Sequence, residues 1–337
     1  MVKVSVLGAG SWGTALAILL ANNGHEVTLW SLLEDEVELL RTHREQTDKL
    51  PGVKLPNSIV ITSDLNEACK GKDLIVFAVA SPFVRSTAKL SAPYIRDNQI
   101  IVNVAKGIEE ATLSTLSEIL NDEIPNAEIA VLSGPSHAEE VSRGIPTTCV
   151  VGAESKDTAH FIQDIFMSDK FRVYTSPDII GIELGGSLKN VIALAAGIAD
   201  GLGFGDNTKA ALMTRGIAEM SRLGVALGGR RETFAGLSGV GDLIVTCTSK
   251  HSRNRNAGFL IGEGYSMQEA MDKVHQVVEG VYSAKAALAL ARKHDIQMPI
   301  VEQINQVLFE NKSAKDAVDD LLLRDKTREY SDLEWKK

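Results

Sequence analysis

Hydrophobic residues in the first half of the chain fall in short, nearly unbroken runs, separated by stretches with helical periodicity. Leu74-Ile75-Val76-Phe77-Ala78-Val79 has no polar residue at all. Such a run suits a strand of a parallel sheet covered on both faces, not one with a wet side. Similar runs predict strands over 2–7, 26–30, 73–79, 99–104, 128–132, 148–151 and 172–174. Strands alternating with helices make a doubly wound α/β domain. Beyond about Tyr174 the texture changes. Apolar residues now recur every three or four positions, predicting helices over 179–199, 208–227, 254–262, 267–273, 281–294 and 299–310. The change falls at Thr175-Ser176-Pro177, where the Ser-Pro pair favours a helix start just afterwards. Two domains are expected, an α/β unit over 1–176 and an all-helical unit over 177–337. The charged end, 324–337, is expected to be a surface helix with a frayed tail.

Composition narrows the class of partner. A chain of 337 residues exceeds one ordinary core, and 44% hydrophobic with 23% charged residues is usual for a soluble globular protein. A net charge of −9 argues against nucleic acid or an anionic membrane as the main partner. It leaves room for a small anion held by a few local cations. Cys69, Cys149 and Cys247 are odd in number and widely spaced, so no metal site is expected. They read as reduced, mostly buried thiols of a cytoplasmic protein. The fold is expected to start at Val2 without a signal peptide, and the apolar runs 15–21 and 191–199 are too short for membrane insertion.

The sharpest local signal is Gly8-Ala9-Gly10-Ser11-Trp12-Gly13, between the first strand and an apolar helical run from Thr14 to Ala21. Gly8 permits a tight turn, Gly10 a close approach of backbone to a pyrophosphate, and Gly13 close helix–strand packing. The helix N-terminus offers free N–H groups to that anion. Ligands of such sheets sit at the carboxyl ends of the strands. That draws attention to Lys106-Gly107 and to Ser133-Gly134-Pro135-Ser136-His137-Ala138-Glu139. Ser136 and Glu139 have the spacing of a capping box, and His137 reads as structural.

Two stretches of the helical half carry chemistry. In 182–199, Leu184, Leu188, Val191, Ile192, Ala195 and Ile198 form an apolar stripe beside Gly185, Lys189, Ala193 and Ala196. A lysine among small residues is partly desolvated, which lowers its pKa toward the range of a proton-transfer group. Further on, Gly239-Val240-Gly241-Asp242 reads as a turn whose acid orients a lysine or binds a substrate hydroxyl. Ser252 is a natural N-cap, placing Arg253 and Asn254 in the first turn of the next helix. The helix dipole disfavours a cation there unless a phosphate is bound, and an arginine fork fits phosphate. A dinucleotide, an acid/base lysine and a phosphate clamp together suggest hydride transfer on a phosphorylated keto or hydroxy compound. A hydroxyacid dehydrogenase of another substrate class and a non-catalytic dinucleotide sensor are the alternatives.

Taken together, 8–17, Ala105-Lys106-Gly107-Ile108-Glu109, Leu132-Ser133-Gly134-Pro135-Ser136, Leu188-Lys189-Asn190, Gly241-Asp242-Leu243 and Ser252-Arg253-Asn254-Arg255 resemble the bacterial NAD(P)-dependent glycerol-3-phosphate dehydrogenases. The resemblance spans nearly the whole chain. It implies a Rossmann-type N-terminal domain, a helical substrate domain, and a homodimer. It also implies reversible reduction of dihydroxyacetone phosphate to sn-glycerol 3-phosphate, feeding glycerophospholipid synthesis. By the same resemblance Lys189 is the general acid/base. Lys106, Gly134, Ser136, Lys189, Asp242, Ser252, Arg253 and Asn254 bind substrate. Ser11, Trp12, Lys106, Ala138, Arg253, Val277 and Glu279 join Gly8, Gly10 and Gly13 at the cofactor. One departure stands out: where many relatives carry His or Arg after the second strand, this chain reads Ser31-Leu32-Leu33-Glu34-Asp35. Neither an arginine for NADP nor an acid for NAD follows the strand directly, so the preference stays open.

Overall fold

The computed structural model describes residues 1–326, 328 and 329. Eight strands form one sheet: β1 (Lys3–Leu7), β2 (Glu26–Trp30), β3 (Val60–Thr62), β4 (Leu74–Phe77), β5 (Ile100–Asn103), β6 (Glu128–Ser133), β7 (Thr147–Ala153) and β8 (Phe171–Ser176). Their spatial order is 3-2-1-4-5-6-7-8. The first six run parallel, with Val6 opposite both Leu29 and Val76. β7 pairs antiparallel with β6 and parallel with β8. All four residues of β4 are wholly buried, as an apolar run without alternation requires. All seven predicted strands are present. The eighth, β3, is three residues at the sheet edge, too short to show a period. The chain leaves β1 in one direction toward β2 and β3, then returns to β4 on the other side, so a crevice opens above β1 and β4.

The helical half is organised around one helix, Ile179–Gly201, started by the Asp178 carboxylate, which accepts from Gly181 N at 2.9 Å. Every residue from Gly181 to Ala199 is buried. The expected apolar stripe is therefore replaced by burial around the whole circumference, the state of a core helix. By length and hydropathy alone this helix would cross a membrane, yet 89% of its apolar window lies inside the protein. It connects to the sheet by polar bonds. The Glu183 carboxylate accepts from Ser117 N at 2.9 Å, from the Ser117 hydroxyl and from the Asn103 amide, and Ser187 Oγ donates to Gly107 O at 3.0 Å. Burial pushes the Glu183 carboxyl up, against the pull of the Ser117 bonds.

The helix Arg253–Gly262 crosses this one backbone to backbone. A Cβ on Gly197 would stand 2.0 Å from Arg255 O, on Gly201 2.2 Å from Phe259 O, on Gly258 2.2 Å from Leu194 O, and on Gly262 2.4 Å from Ile198 O. Each helix thus offers two glycines four residues apart, one turn of helix, at the crossing. All three cysteines are free and buried, and burial pushes their thiols up to about 12. Among the described residues no group of three His, Cys, Asp or Glu side chains is placed to hold a metal. A further helix, Ala314–Leu322, lies beyond the predicted ones, although Ala314, Ala317, Val318, Leu321 and Leu322 keep the helical spacing. Of the charged end 324–337, residues 324–326 are not helical, and 327 and 330–337 lie outside the described residues.

The crossing gives a direct test. Gly258→Ala should lower stability by about 2–3 kcal/mol or more, because the added methyl meets a carbonyl that cannot move aside. The check is the denaturant midpoint. An unchanged midpoint would mean the helices can separate at no cost.

Candidate active site

The glycine loop closes the crevice on one side. Gly10 caps the helix Ser11–Asn22 with no side-chain bond to the first-turn N–H groups. Gly8 has φ +118°, and a Cβ there would stand 2.8 Å from Ala78 C. A Cβ on Gly13 would stand 1.9 Å from Gly8 O. Nothing lies within 4 Å of where a Cβ on Gly10 would be. So Gly8 and Gly13 are required by the protein's own packing, while Gly10 faces open space. Uncapped N–H groups beside open space are what a pyrophosphate needs, and the residues fit a dinucleotide. Ser11 and Trp12 are half-buried at this mouth.

Opposite the loop, two ammonium groups share one buried carboxylate. Asp242 Oδ2 takes Lys106 Nζ at 2.6 Å, and Oδ1 takes Lys189 Nζ at 2.9 Å. Lys106 Nζ also donates to Gly134 O at 3.1 Å, and Lys189 Nζ to Thr246 Oγ1 at 2.6 Å. The Thr246 hydroxyl in turn donates to Asp242 O at 2.6 Å. Each ammonium therefore has one N–H left over from its three. Burial lowers the Lys189 pKa to about 8; Asp242 pulls it back up and the Lys106 charge pushes it further down. Burial alone would raise Asp242, but the two ammonium groups hold its carboxyl below the usual range. Asp242 stands at the start of the helix Asp242–Thr248, not in a turn as expected. The glycines before it wind as a π-helical turn, Leu237–Gly241, with Gly241 N bonded to Gly236 O at 3.1 Å. Gly185 makes room for that turn, since a Cβ there would meet Ser238 O at 2.6 Å. Single π-turns inside helices recur at functional sites.

The predicted helix start at Ser252 is present. Ser252 caps the helix Arg253–Gly262, accepting from Arg255 N at 3.2 Å, so Arg253 and Asn254 occupy its first turn. Arg253 is exposed. Asn254 is buried and partly engaged: its Oδ1 accepts from Gly280 N at 2.8 Å and its Nδ2 donates to Asn190 Oδ1 at 2.9 Å. One amide hydrogen remains for a ligand. That bond ties the clamp to the residue after Lys189. Glu279 reaches the opposite edge, where Oε1 accepts from Ser81 N at 3.1 Å and Oε2 from the Ser81 hydroxyl. Burial raises its carboxyl; the Ser81 bonds and the Arg253 charge oppose that rise. Val277 is half-buried two residues before it.

Another expectation also fails. Ser136 and Glu139 form no capping box; the N-cap of the short helix Ala138–Val141 is His137, without a side-chain bond. Ser136 Oγ instead donates to Gly134 O at 2.9 Å, because Gly134, at φ +138°, turns its carbonyl toward it. Ala138 is buried in the first turn beyond. His137 packs against His251 with ring centroids 6.0 Å apart, and burial, then the Lys189 charge, holds its imidazole below the usual range. Thr246 and Asn190 join the cluster with no role assigned to them from the sequence. A threonine one turn after an acid is the only trace Thr246 leaves there.

Models of the NAD-dependent glycerol-3-phosphate dehydrogenase N-terminus and C-terminus match residues 3–159 and 178–319. A glycerol-3-phosphate dehydrogenase [NAD(P)+] of Agathobacter rectalis is 62% identical over 336 residues, covering 100% of both chains. One from Fusobacterium nucleatum is 59% identical over 331 residues, covering 98% of this chain and 99% of the other. The crystal structure of glycerol-3-phosphate dehydrogenase from Coxiella burnetii superposes with a TM-score of 0.93 at 38% identity, covering 96% of this chain and 99% of that one. Sequence and fold agree on one assignment, and the chain belongs to the NAD-dependent glycerol-3-phosphate dehydrogenase family.

Proposed function

We propose that this chain reversibly reduces dihydroxyacetone phosphate to sn-glycerol 3-phosphate with NADH or NADPH, and so supplies glycerophospholipid synthesis. The observation that carries this reading is Lys189, buried at the end of the crevice with its pKa lowered to about 8 and one N–H uncommitted. When bound, the reduced nicotinamide supplies the hydride that goes to C2 of the substrate. Lys189 gives its proton to the C2 oxygen, so the ketone becomes an alcohol and the lysine is left neutral. In the reverse direction neutral Lys189 takes that proton back. Asp242 fixes both lysines, and the free N–H of Lys106 is available to a substrate oxygen. The backbone at Gly134 and Ser136 lines the same side. Ser252, Arg253 and Asn254 hold the phosphate at a helix N-terminus. Residues 1–176 are then the cofactor half, with Gly8, Gly10, Ser11, Trp12, Gly13, Lys106 and Ala138 contributing. Residues 177–337 are the substrate half, lending Arg253, Val277 and Glu279 to the cofactor. A homodimer in the cytoplasm is the setting that membership of the family implies.

A spectrophotometric assay with dihydroxyacetone phosphate tests the reading. Lys189→Met should cut turnover by about 10²–10⁴-fold, the usual worth of a positioned acid, with cofactor binding kept. Substantial residual turnover would remove Lys189 from the proton transfer. The pH dependence has a definite sign. Reduction needs protonated Lys189, so its rate should fall as pH rises through about 8, and oxidation should rise over the same interval. Lys106→Met takes away a charge that lowers the Lys189 pKa, so both limbs should move to higher pH. Limbs that stay in place would show that Lys106 does not act on Lys189.

A further inference from the structure

β2 ends at Trp30 beside the glycine loop, whose Gly8 N donates to Trp30 O at 2.9 Å. The next residue, Ser31, is buried and occupies the place where an acid reads a ribose 2′-hydroxyl or an arginine a 2′-phosphate. The sequence puts neither there. The structure brings an acid from five residues on. Glu36, in the first turn of the helix Glu34–His43, folds back so that Ser31 Oγ donates to its Oε2 at 2.5 Å. Gln46 Nε2 and Lys49 Nζ donate to Oε1 at 2.8 and 2.5 Å. The same Gln46 nitrogen donates to Ala9 O, inside the glycine loop, at 2.8 Å. A single buried amide therefore ties this carboxylate to the pyrophosphate-binding turn.

We infer that Glu36 makes this chain select NADH over NADPH, by accepting the 2′-hydroxyl of the adenosine ribose and repelling a 2′-phosphate. The inference rests on the reading that the glycine loop binds a nicotinamide dinucleotide. A carboxylate offers about four acceptor positions over its two oxygens. Three are filled here, two on Oε1 and one on Oε2. The vacant position on Oε2 takes a donor. A ribose hydroxyl is a donor. A phosphate carries about two negative charges at neutral pH and only accepts. Lys49 is the cation that would meet such a phosphate, and Glu36 already holds it. Binding NADPH therefore requires breaking that ion pair and leaving a carboxylate against a dianion. The side chain of Glu36 is 13% exposed, so water screens this repulsion little.

The test is fluorescence titration of the full-length protein with NADH and with NADPH, which needs no keto substrate, alongside initial rates with dihydroxyacetone phosphate. The wild type should bind NADH at least tenfold more tightly than NADPH. Glu36→Gln keeps the shape and frees Lys49, so it should narrow that ratio tenfold or more, chiefly through tighter NADPH binding. Adding Lys49→Met to Glu36→Gln should cancel the gain. Lys49→Met alone leaves the carboxylate without its counter-ion and should move the ratio the other way, toward still weaker NADPH binding. That second variant keeps the test decisive if Glu36→Gln does not fold. A purely bracing role for Glu36 would weaken both dinucleotides equally and leave the ratio fixed. Equal affinities in the wild type, or an unchanged ratio in Glu36→Gln, would overturn the inference. Binding with the expected ratio but no turnover would uphold it and reject the proposed substrate instead. No binding of either dinucleotide would overturn both.

Discussion

Two helices cross the middle of this molecule with no side chain between their backbones, and the site takes its dimensions from that crossing. Lys189 lies on one helix and Arg253 with Asn254 at the start of the other. Their separation is set by Gly197, Gly201, Gly258 and Gly262, whose missing Cβ atoms let carbonyls approach to contact distance. The Asn254–Asn190 bond then fixes the rotation of one helix against the other. The proposed proton donor and phosphate clamp must match one small molecule. Here their spacing is held by main chain, which packed interiors do not let drift.

The electrostatics follow from the same burial. Two ammonium groups and one carboxylate lie together, Lys189 and Asp242 buried and Lys106 partly so, an arrangement that leaves a net positive charge awaiting an anion. Desolvation disfavours the charges of Asp242 and Lys189; pairing more than offsets it at Asp242 and only partly at Lys189. The residual imbalance falls on Lys189, which is why its proton is loosely held. The π-helical turn at Leu237–Gly241 is what aims Asp242 between the two lysines, and it fits because Gly185 leaves space for it.

Much of this was legible in the chain. Continuous apolar runs marked the sheet because both its faces are covered, and the glycine loop was clear because its requirements are local. Lys189 stood out as the one charge among small residues. What was hidden depends on contacts between distant segments. Ser136 and Glu139 have the spacing of a cap, yet the positive φ of Gly134 offers Ser136 a nearer carbonyl. Asp242 looked like a turn residue because π-winding has no compositional signature. Glu36 was invisible because its meaning comes from folding back onto Ser31 across the end of a strand. Thr246 and Asn190 are ordinary helix residues until the lysine and the clamp close on them.

The Glu183 carboxylate, locked to Ser117 and Asn103, also bears on how such a protein can be rearranged. Dinucleotide-binding sheets are often thought of as modules to which a new substrate half can be grafted. Here the graft would have to carry an acid with no access to water, and the host sheet would need an amide and a hydroxyl waiting for it. Moved without Asn103 and Ser117, the helical half would bring a stranded carboxylate into the new seam. Shuffling at this boundary is constrained by three residues outside the lysine–aspartate cluster, and a graft that keeps the seam satisfied must carry all three.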